Sequence, residues 1–213
     1  RTAAAGPAMS SAVAHILDDD LAVRDALQWL LQSRGVPSQA WETAEAFLAV
    51  AGSGLHGCLL LDVRMPGMSG IELFDRMKPL NCRLPVIFLT GHGDVPMAVQ
   101  ALKDGAFDFV EKPYDDNALV DKVLSAIAHD EKRGARDSAA LLVRTRLMQL
   151  TQREQQVMSR ILAGKLNKVI ADELGIAMRT VEVHRSHIFE KMQVRSAVEL
   201  SQALALLGEI PGG

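Results

Sequence analysis

Only two cysteines, Cys58 and Cys82, occur in 213 residues, so no disulfide framework holds this chain together. Cys58 lies in an apolar run, where a buried thiol is expected. No apolar run approaches the ~20 residues that cross a bilayer, so no membrane engagement is expected. One Tyr and two Trp are too few to line a roomy apolar ligand pocket. A charged-then-apolar secretory leader is also missing. Residues 1–12, small and mostly polar around Met9, are expected to be a cloning remnant or disordered N-terminus outside the fold. With the low cysteine count, this sets the expectation of a reducing cytoplasm.

What is present is ordinary globular composition, 48% hydrophobic and 23% charged, enough for one large domain or two modest ones. The net charge of −3 hides a split. Residues 1–130 carry 10 Lys/Arg against 17 Asp/Glu, a balance of −7, whereas residues 131–213 carry 13 against 9, a balance of +4. Such asymmetry suggests two domains, the second suited to a polyanion.

The first half alternates strand and helix patterns. Apolar runs at 13–17, 36–41, 84–90 and 107–110, and one around Cys58 and Leu59 that ends at Asp62, read as strands. Helical spacing follows each, at 21–33, 43–51, 69–77, 94–103 and 115–129. In the first of these helices Leu21, Ala22, Leu27, Leu30 and Leu31 are expected to share the buried face. Five strands alternating with five helices predict a doubly wound five-stranded parallel sheet, flavodoxin-like, in the order 2-1-3-4-5.

The strand ends carry the chemistry. The first strand ends in Asp18-Asp19 and the third in Asp62, followed at once by the turn Met65-Pro66-Gly67. The fourth ends in Thr90 and the fifth leads to Lys112-Pro113. In this order the first and third strands are neighbours, so three carboxylates are expected to converge where open sheets bind ligands. Like charges packed together need a cation. Oxygen-only ligands suit Mg²⁺ or another divalent cation, which takes one or two carboxylates and keeps waters. A hydroxyl and an ammonium opposite would hold an anion. The set therefore reads as a phosphoryl site with Asp62 as nucleophile.

In the second half, Thr151-Gln152-Arg153-Glu154 is a capping box before Val157, Ile161 and Leu162. Asn167 is expected to cap the next helix, with Ile170, Ala171 and Leu174 inward and Gly175 at the turn. A third helix runs to about Met192 and a fourth over 195–207. Two short helices joined by a Gly turn form a helix-turn-helix, whose second helix enters the major groove. On that helix Val181, Val183 and Ile188 suit packing, while Arg179, Thr180, Glu182, Arg185 and Ser186 are polar. His184 and His187 stand at i, i+3 without a third metal ligand. Between the halves, residues 131–147 form a linker that the pattern allows as a helix prolonging the fifth or as a tether interrupted at Gly134.

These motifs carry a resemblance. Residues 13–130 resemble the receiver domain of two-component response regulators: Asp18-Asp19 match its acidic pair, Asp62 the phosphoacceptor, Thr90 the switch hydroxyl and Lys112 the invariant lysine. The resemblance implies a Mg²⁺ site formed by Asp18, Asp19, Asp62 and the Arg64 backbone carbonyl, a cis Lys112–Pro113 bond, and Phe109 as aromatic switch. Residues 148–210 are similar to the LuxR-type helix-turn-helix of the FixJ/NarL class. The matches are Leu150-Thr151, Arg153-Glu154, Asn167-Lys168, Ile170-Ala171, Thr180-Val181, Val183-His184 and Lys191-Met192. That likeness implies base contacts at Glu182, Val183 and Ser186, and backbone contacts at Lys168, Thr180 and Arg185. It also implies dimerisation through the last helix, with Leu200, Leu204 and Leu207 exposed for pairing, the alternative being that these leucines simply close a small core.

The function implied is a cytoplasmic, phosphorylation-dependent DNA-binding transcriptional regulator. A sensor histidine kinase phosphorylates Asp62 with Mg²⁺, which switches homodimerisation and binding to double-stranded promoter DNA. Three alternatives are weaker. A phosphorylation-independent regulator would not be expected to keep the whole acid–Thr–Lys set. A Mg²⁺-dependent phosphatase of the Asp-x-Asp type needs a second acid where Arg64 stands, and Arg cannot be a general base at neutral pH. Slow self-dephosphorylation is the most expected of it as an enzyme. A quorum-sensing receptor would need an apolar pocket in place of the acid cluster.

Overall fold

A computed structural model describes residues 12–208 apart from Ser53, His92 and Gly93. The expected N-terminal remnant lies almost wholly outside the described residues. Residues up to Arg133 and residues from Gly134 onward form two units.

The first unit is built on β1 (Val13–Leu17), β2 (Ser38–Trp41), β3 (Gly57–Asp62), β4 (Val86–Thr90) and β5 (Asp108–Glu111). They form one parallel sheet in the order β2-β1-β3-β4-β5, as the alternation predicted. Every residue of β3 is buried, which explains its unbroken apolar composition: a central parallel strand is covered on both faces. Helices α1 (Leu21–Ser33), α2 (Ala44–Leu48), α3 (Gly70–Met77) and α4 (Val95–Lys103) follow the first four strands, with a 3-10 turn at Lys78–Leu80. One face of the sheet packs Leu27, Leu30 and Leu31 of α1 with Leu119, Val120 and Val123 of α5 (Asp116–Leu147). The other packs Phe47 of α2, Leu73, Phe74 and Met77 of α3 and Ala101 of α4.

Two departures from the sequence pattern have local causes. Leu21 is 60% exposed and Ala22 is exposed, although the helical spacing placed both inward. Asp20 caps α1 by accepting from the Ala22 N–H, and Arg24 turns back to donate to the Asp18 and Asp19 carbonyls. The first turn of α1 thus serves the loop after β1. The second departure is α5, which continues unbroken through Gly134 to Leu147, so the linker is helix. Gly within a helix costs only about 1 kcal/mol relative to Ala, too little to break one.

The second unit holds the end of α5 and α6 (Gln152–Leu162), α7 (Asn167–Leu174), α8 (Met178–Met192) and α9 (Ala197–Gly208). Val157, Ile161, Ile170, Val181, Ile188, Met192 and Leu200 are its buried centre. The capping box forms as predicted: Thr151 Oγ1 accepts from the Glu154 N–H and Glu154 accepts from the Thr151 N–H. Gly175 ends α7 in the left-handed region, φ 63°, where a side chain would be strained.

Two expectations are corrected here. The cap of α7 is Leu166, which makes no side-chain bond, and Asn167 is already helical. Leu200 is fully buried and Leu204 and Leu207 pack partly buried against the same core. A four-helix unit this small has few apolar groups to spare, so Leu200 belongs to the core while Leu204 and Leu207 keep part of their surface exposed.

Candidate functional site

The strand register assembles the site. Leu17 lies opposite Leu61, Asp62 opposite Leu89, and Thr90 opposite Glu111. The residues just past β1 and at the ends of β3 and β4 therefore stand side by side, with Lys112 following β5. Lys112 Nζ bridges two of the carboxylates, donating to Asp62 Oδ1 at 2.6 Å and Asp18 Oδ2 at 2.9 Å. The Lys112 N–H donates to the Thr90 carbonyl at 2.7 Å, and the Lys112–Pro113 bond is cis. Asp62 Oδ2 accepts from the Arg64 N–H at 2.8 Å, and Asp18 Oδ1 from the Asp20 N–H at 2.9 Å.

Burial sets the electrostatics. Asp18 and Asp62 are 2% and 8% exposed. Loss of water pushes the Asp62 carboxyl above its usual range, Lys112 pulls it back, and the neighbouring Asp18 adds to the rise. Burial also pulls Lys112 down, but its bonds to Asp62 and Asp18 more than offset this and leave the ammonium above its ordinary value. The result is a desolvated anion pair held together by one cation.

Thr90 is wholly buried, and its hydroxyl has no hydrogen-bond partner among the described residues. A buried donor left unpaired is costly and points to a ligand oxygen. Phe109 lies opposite Phe88 in the register and packs against the α2–α4 side of the core.

Asp19 differs from this pair in exposure. It is exposed, and its backbone carbonyl is the group engaged, by Arg24 at 3.0 Å. Among the described residues, no three His, Cys, Asp or Glu side chains form a ready metal cluster. Of the three carboxylates expected to converge, Lys112 joins two, Asp18 and Asp62. Two oxygen-only acids on one cation are nevertheless the donor set that suits Mg²⁺, which takes one or two carboxylates and keeps waters.

Several supporting residues were not singled out in the sequence. A Cβ on Gly70 would fall 2.1 Å from the Asp62 carbonyl oxygen, so α3 can approach the end of β3 only with glycine there. Arg24, 9% exposed, fixes the loop of the acidic pair. Asp130 of α5, 1% exposed, accepts from the Gly57 N–H at 2.9 Å and pins the start of β3. A charged residue at a buried helical position was the available signal for Arg24 and Asp130.

In the second unit α8 presents a polar face. Arg179, Thr180, Glu182 and Ser186 are exposed, while Val181, Ile188 and Met192 point inward. Val183 is 47% exposed and does not pack in the core, contrary to its apolar reading. Arg185 lies over the Phe189 ring, 5.4 Å from the centroid, and Lys168 is exposed on α7. The scaffold behind this face is ionic. Lys191 of α8 donates to the buried Glu154 at 2.7 Å, tying α8 to the start of α6. Burial pushes Glu154 up, but its bonds to Lys191 and Thr151 prevail and hold it below its ordinary value. Arg153 donates to the Leu174 carbonyl at 2.7 Å, closing the end of α7.

Comparison with known proteins agrees with both halves. Residues 14–124 match the response regulator receiver domain, and residues 148–204 match the luxR family of bacterial regulatory proteins. The C4-dicarboxylate transport transcriptional regulatory protein DctR of Rhodobacter capsulatus is 50% identical over 88% of this chain and 96% of its own length. The transcriptional regulatory protein FixJ of Bradyrhizobium diazoefficiens is 44% identical over 87% of this chain and 91% of its own. Among solved structures, the response regulator StyR is similar with a TM-score of 0.80 and 40% identity, covering 94% of this chain and all of that one. Full-length FixJ from B. japonicum is similar with a TM-score of 0.59 and 42% identity, over 94% and 98% of the two chains.

Proposed function

The chain belongs to the two-component response regulators that join a receiver domain to a LuxR-type DNA-binding domain, and is a transcription factor of that family; from this premise we propose that Asp62 accepts the phosphoryl group that controls it. The single observation that supports this most is the buried Asp18–Lys112–Asp62 bridge beside the unpaired Thr90 hydroxyl. A histidine kinase supplies the phosphoryl group. Asp62 Oδ attacks phosphorus, the P–N bond to the donor imidazole breaks, and the nitrogen keeps the electron pair.

Receiver domains bind Mg²⁺ at such a site. Asp18, Asp19, Asp62 and the Arg64 backbone carbonyl would hold it here, and it would supply charge neutralisation for the transferred group. This chain's own residues do the rest. Lys112 lies within reach of both carboxylates and can follow the new anion. Thr90 gains an acceptor for its hydroxyl. Phe109, a ring without a hydroxyl, can respond only by repacking.

At the other end, α8 reads the major groove. Glu182, Val183 and Ser186 face base edges, with Lys168, Arg179, Thr180 and Arg185 on the phosphate backbone. Phosphorylation favours a homodimer whose two reading heads engage half-sites about 34 Å apart. Among the described residues no helix is long and apolar enough to cross a membrane, and the chain works in the cytoplasm beside its DNA. Phosphotransfer from a panel of purified histidine kinases, with promoter-fragment binding measured before and after, tests this reading. Labelling that survives Asp62→Ala, or DNA affinity that ignores phosphorylation, would sink it.

A further inference from the structure

One ion pair joins the loops that follow β3 and β4 and has no part in the chemistry above. Arg64 stands two residues after Asp62 and donates its backbone N–H to Asp62 Oδ2 at 2.8 Å. Its guanidinium grips Asp94. Nε lies 2.8 and 2.9 Å from the two carboxylate oxygens, and Nη2 lies 2.7 Å from Oδ1. Asp94 immediately precedes α4, yet its side chain caps none of that helix's N–H groups. The two partners differ sharply in exposure, 75% for the Arg64 side chain and 5% for Asp94. Among the described residues, Arg64 is the partner this buried carboxylate has. A carboxylate withdrawn from water depends on its counter-charge. The guanidinium, on a long and exposed stem, does not depend on Asp94 in the same way.

We propose that the Arg64–Asp94 pair is a latch on α4: it holds the first turn of that helix in its resting arrangement, and a phosphoryl group on Asp62 releases it by drawing the guanidinium away. The inference rests on Asp62 being the phosphoacceptor. A phosphoryl group brings more negative charge than one carboxylate and offers the same forked geometry that Arg binds best. It arises next to the Arg64 main chain, so the guanidinium needs only a change of rotamer. Asp94, left buried and unpaired, then moves to water and carries the start of α4 with it. Asp94 is thereby a positioning residue that acts through Arg64, and Thr90 is not the sole link between phosphate and helix.

The test uses the full chain with Mg²⁺, with and without beryllofluoride as phosphoryl mimic. Amide hydrogen exchange is followed over residues 95–103 in the wild type, Asp94→Asn, Arg64→Gln and the double variant. Without beryllofluoride, Asp94→Asn should exchange about tenfold faster than wild type over this segment alone, as expected for losing a charged hydrogen-bonded pair. Beryllofluoride should raise wild-type exchange toward that level and add little in the variant. The double variant should match the single ones. Three results would overturn the latch: wild-type exchange in Asp94→Asn, faster exchange spread over the whole first unit, or single effects that add. A wild type indifferent to beryllofluoride would instead sink the phosphoacceptor reading, and the latch with it.

Discussion

The two units place their working groups in opposite ways. In the first, Asp18, Asp62 and Thr90 are buried at the ends of central strands. In the second, Arg179, Thr180, Glu182, Val183 and Ser186 face solvent, and the buried ion, Glu154, is scaffold. The contrast follows from the ligands. One small anion is handled best where water is excluded and each charge acts at short range. A duplex is long, and it is read by an exposed helix making many separate contacts. The first site should therefore fail all at once when a group is lost, and the second by degrees.

The largest expected effect is Asp62→Asn, which should abolish phosphoryl labelling while leaving the chain folded by circular dichroism. Retained labelling would break the contrast, because a second acceptor would make the first site graded too. Next is Leu200→Ala, expected to destabilise the second unit by about 2–4 kcal/mol in chemical denaturation through the cavity it leaves. A change in self-association at unchanged stability would return Leu200 to the surface role expected from its family.

Glu154→Gln should cost about 1–3 kcal/mol, since it weakens a capping box and leaves Lys191 without its charge partner. The pH dependence has a definite sign. The folded Glu154 carboxyl is held below its ordinary 4.5. Its contribution is therefore fully present above that value and lost as pH falls through the lower folded one. Acid unfolding of the second unit should lose part of its slope in Glu154→Gln. An unaltered acid limb would mean that the Lys191 contact contributes nothing.

The smallest effect sharpens the contrast most. Lys168→Ala should weaken DNA binding uniformly across sequences and lower the salt dependence by about one counterion. If it instead relaxed sequence preference, Lys168 would be reading bases.

Much of this was legible in the residues. The alternation of apolar runs and amphipathic helices predicts the sheet and its order, because a buried parallel strand leaves a different pattern from an amphipathic helix. Asp62, Thr90 and Lys112 were legible because each stands at or just past the end of an apolar run. The failures share one cause. Leu21 and Leu200 are both leucines at plausible helical positions, and only packing decides which of them faces inward. Gly134 looked like a break, yet nothing in the sequence tells whether neighbouring turns outweigh one glycine. Asp94 was read only as the start of a helix, and its pairing with Arg64 across 30 residues leaves no local trace.

By itself the sequence determined the two-unit plan, the placing of Asp62 and Thr90 at strand ends with Lys112 just past one, and the polar face of α8, since periodicity and residue type act locally along the chain. The tertiary structure alone decided that Lys112 bridges Asp18 and Asp62, that Leu200 is core and that Arg64 reaches Asp94. Those are contacts between residues far apart in the chain. Their strength depends on the water removed around them, and that is set only once the sheet has closed and the helices have packed.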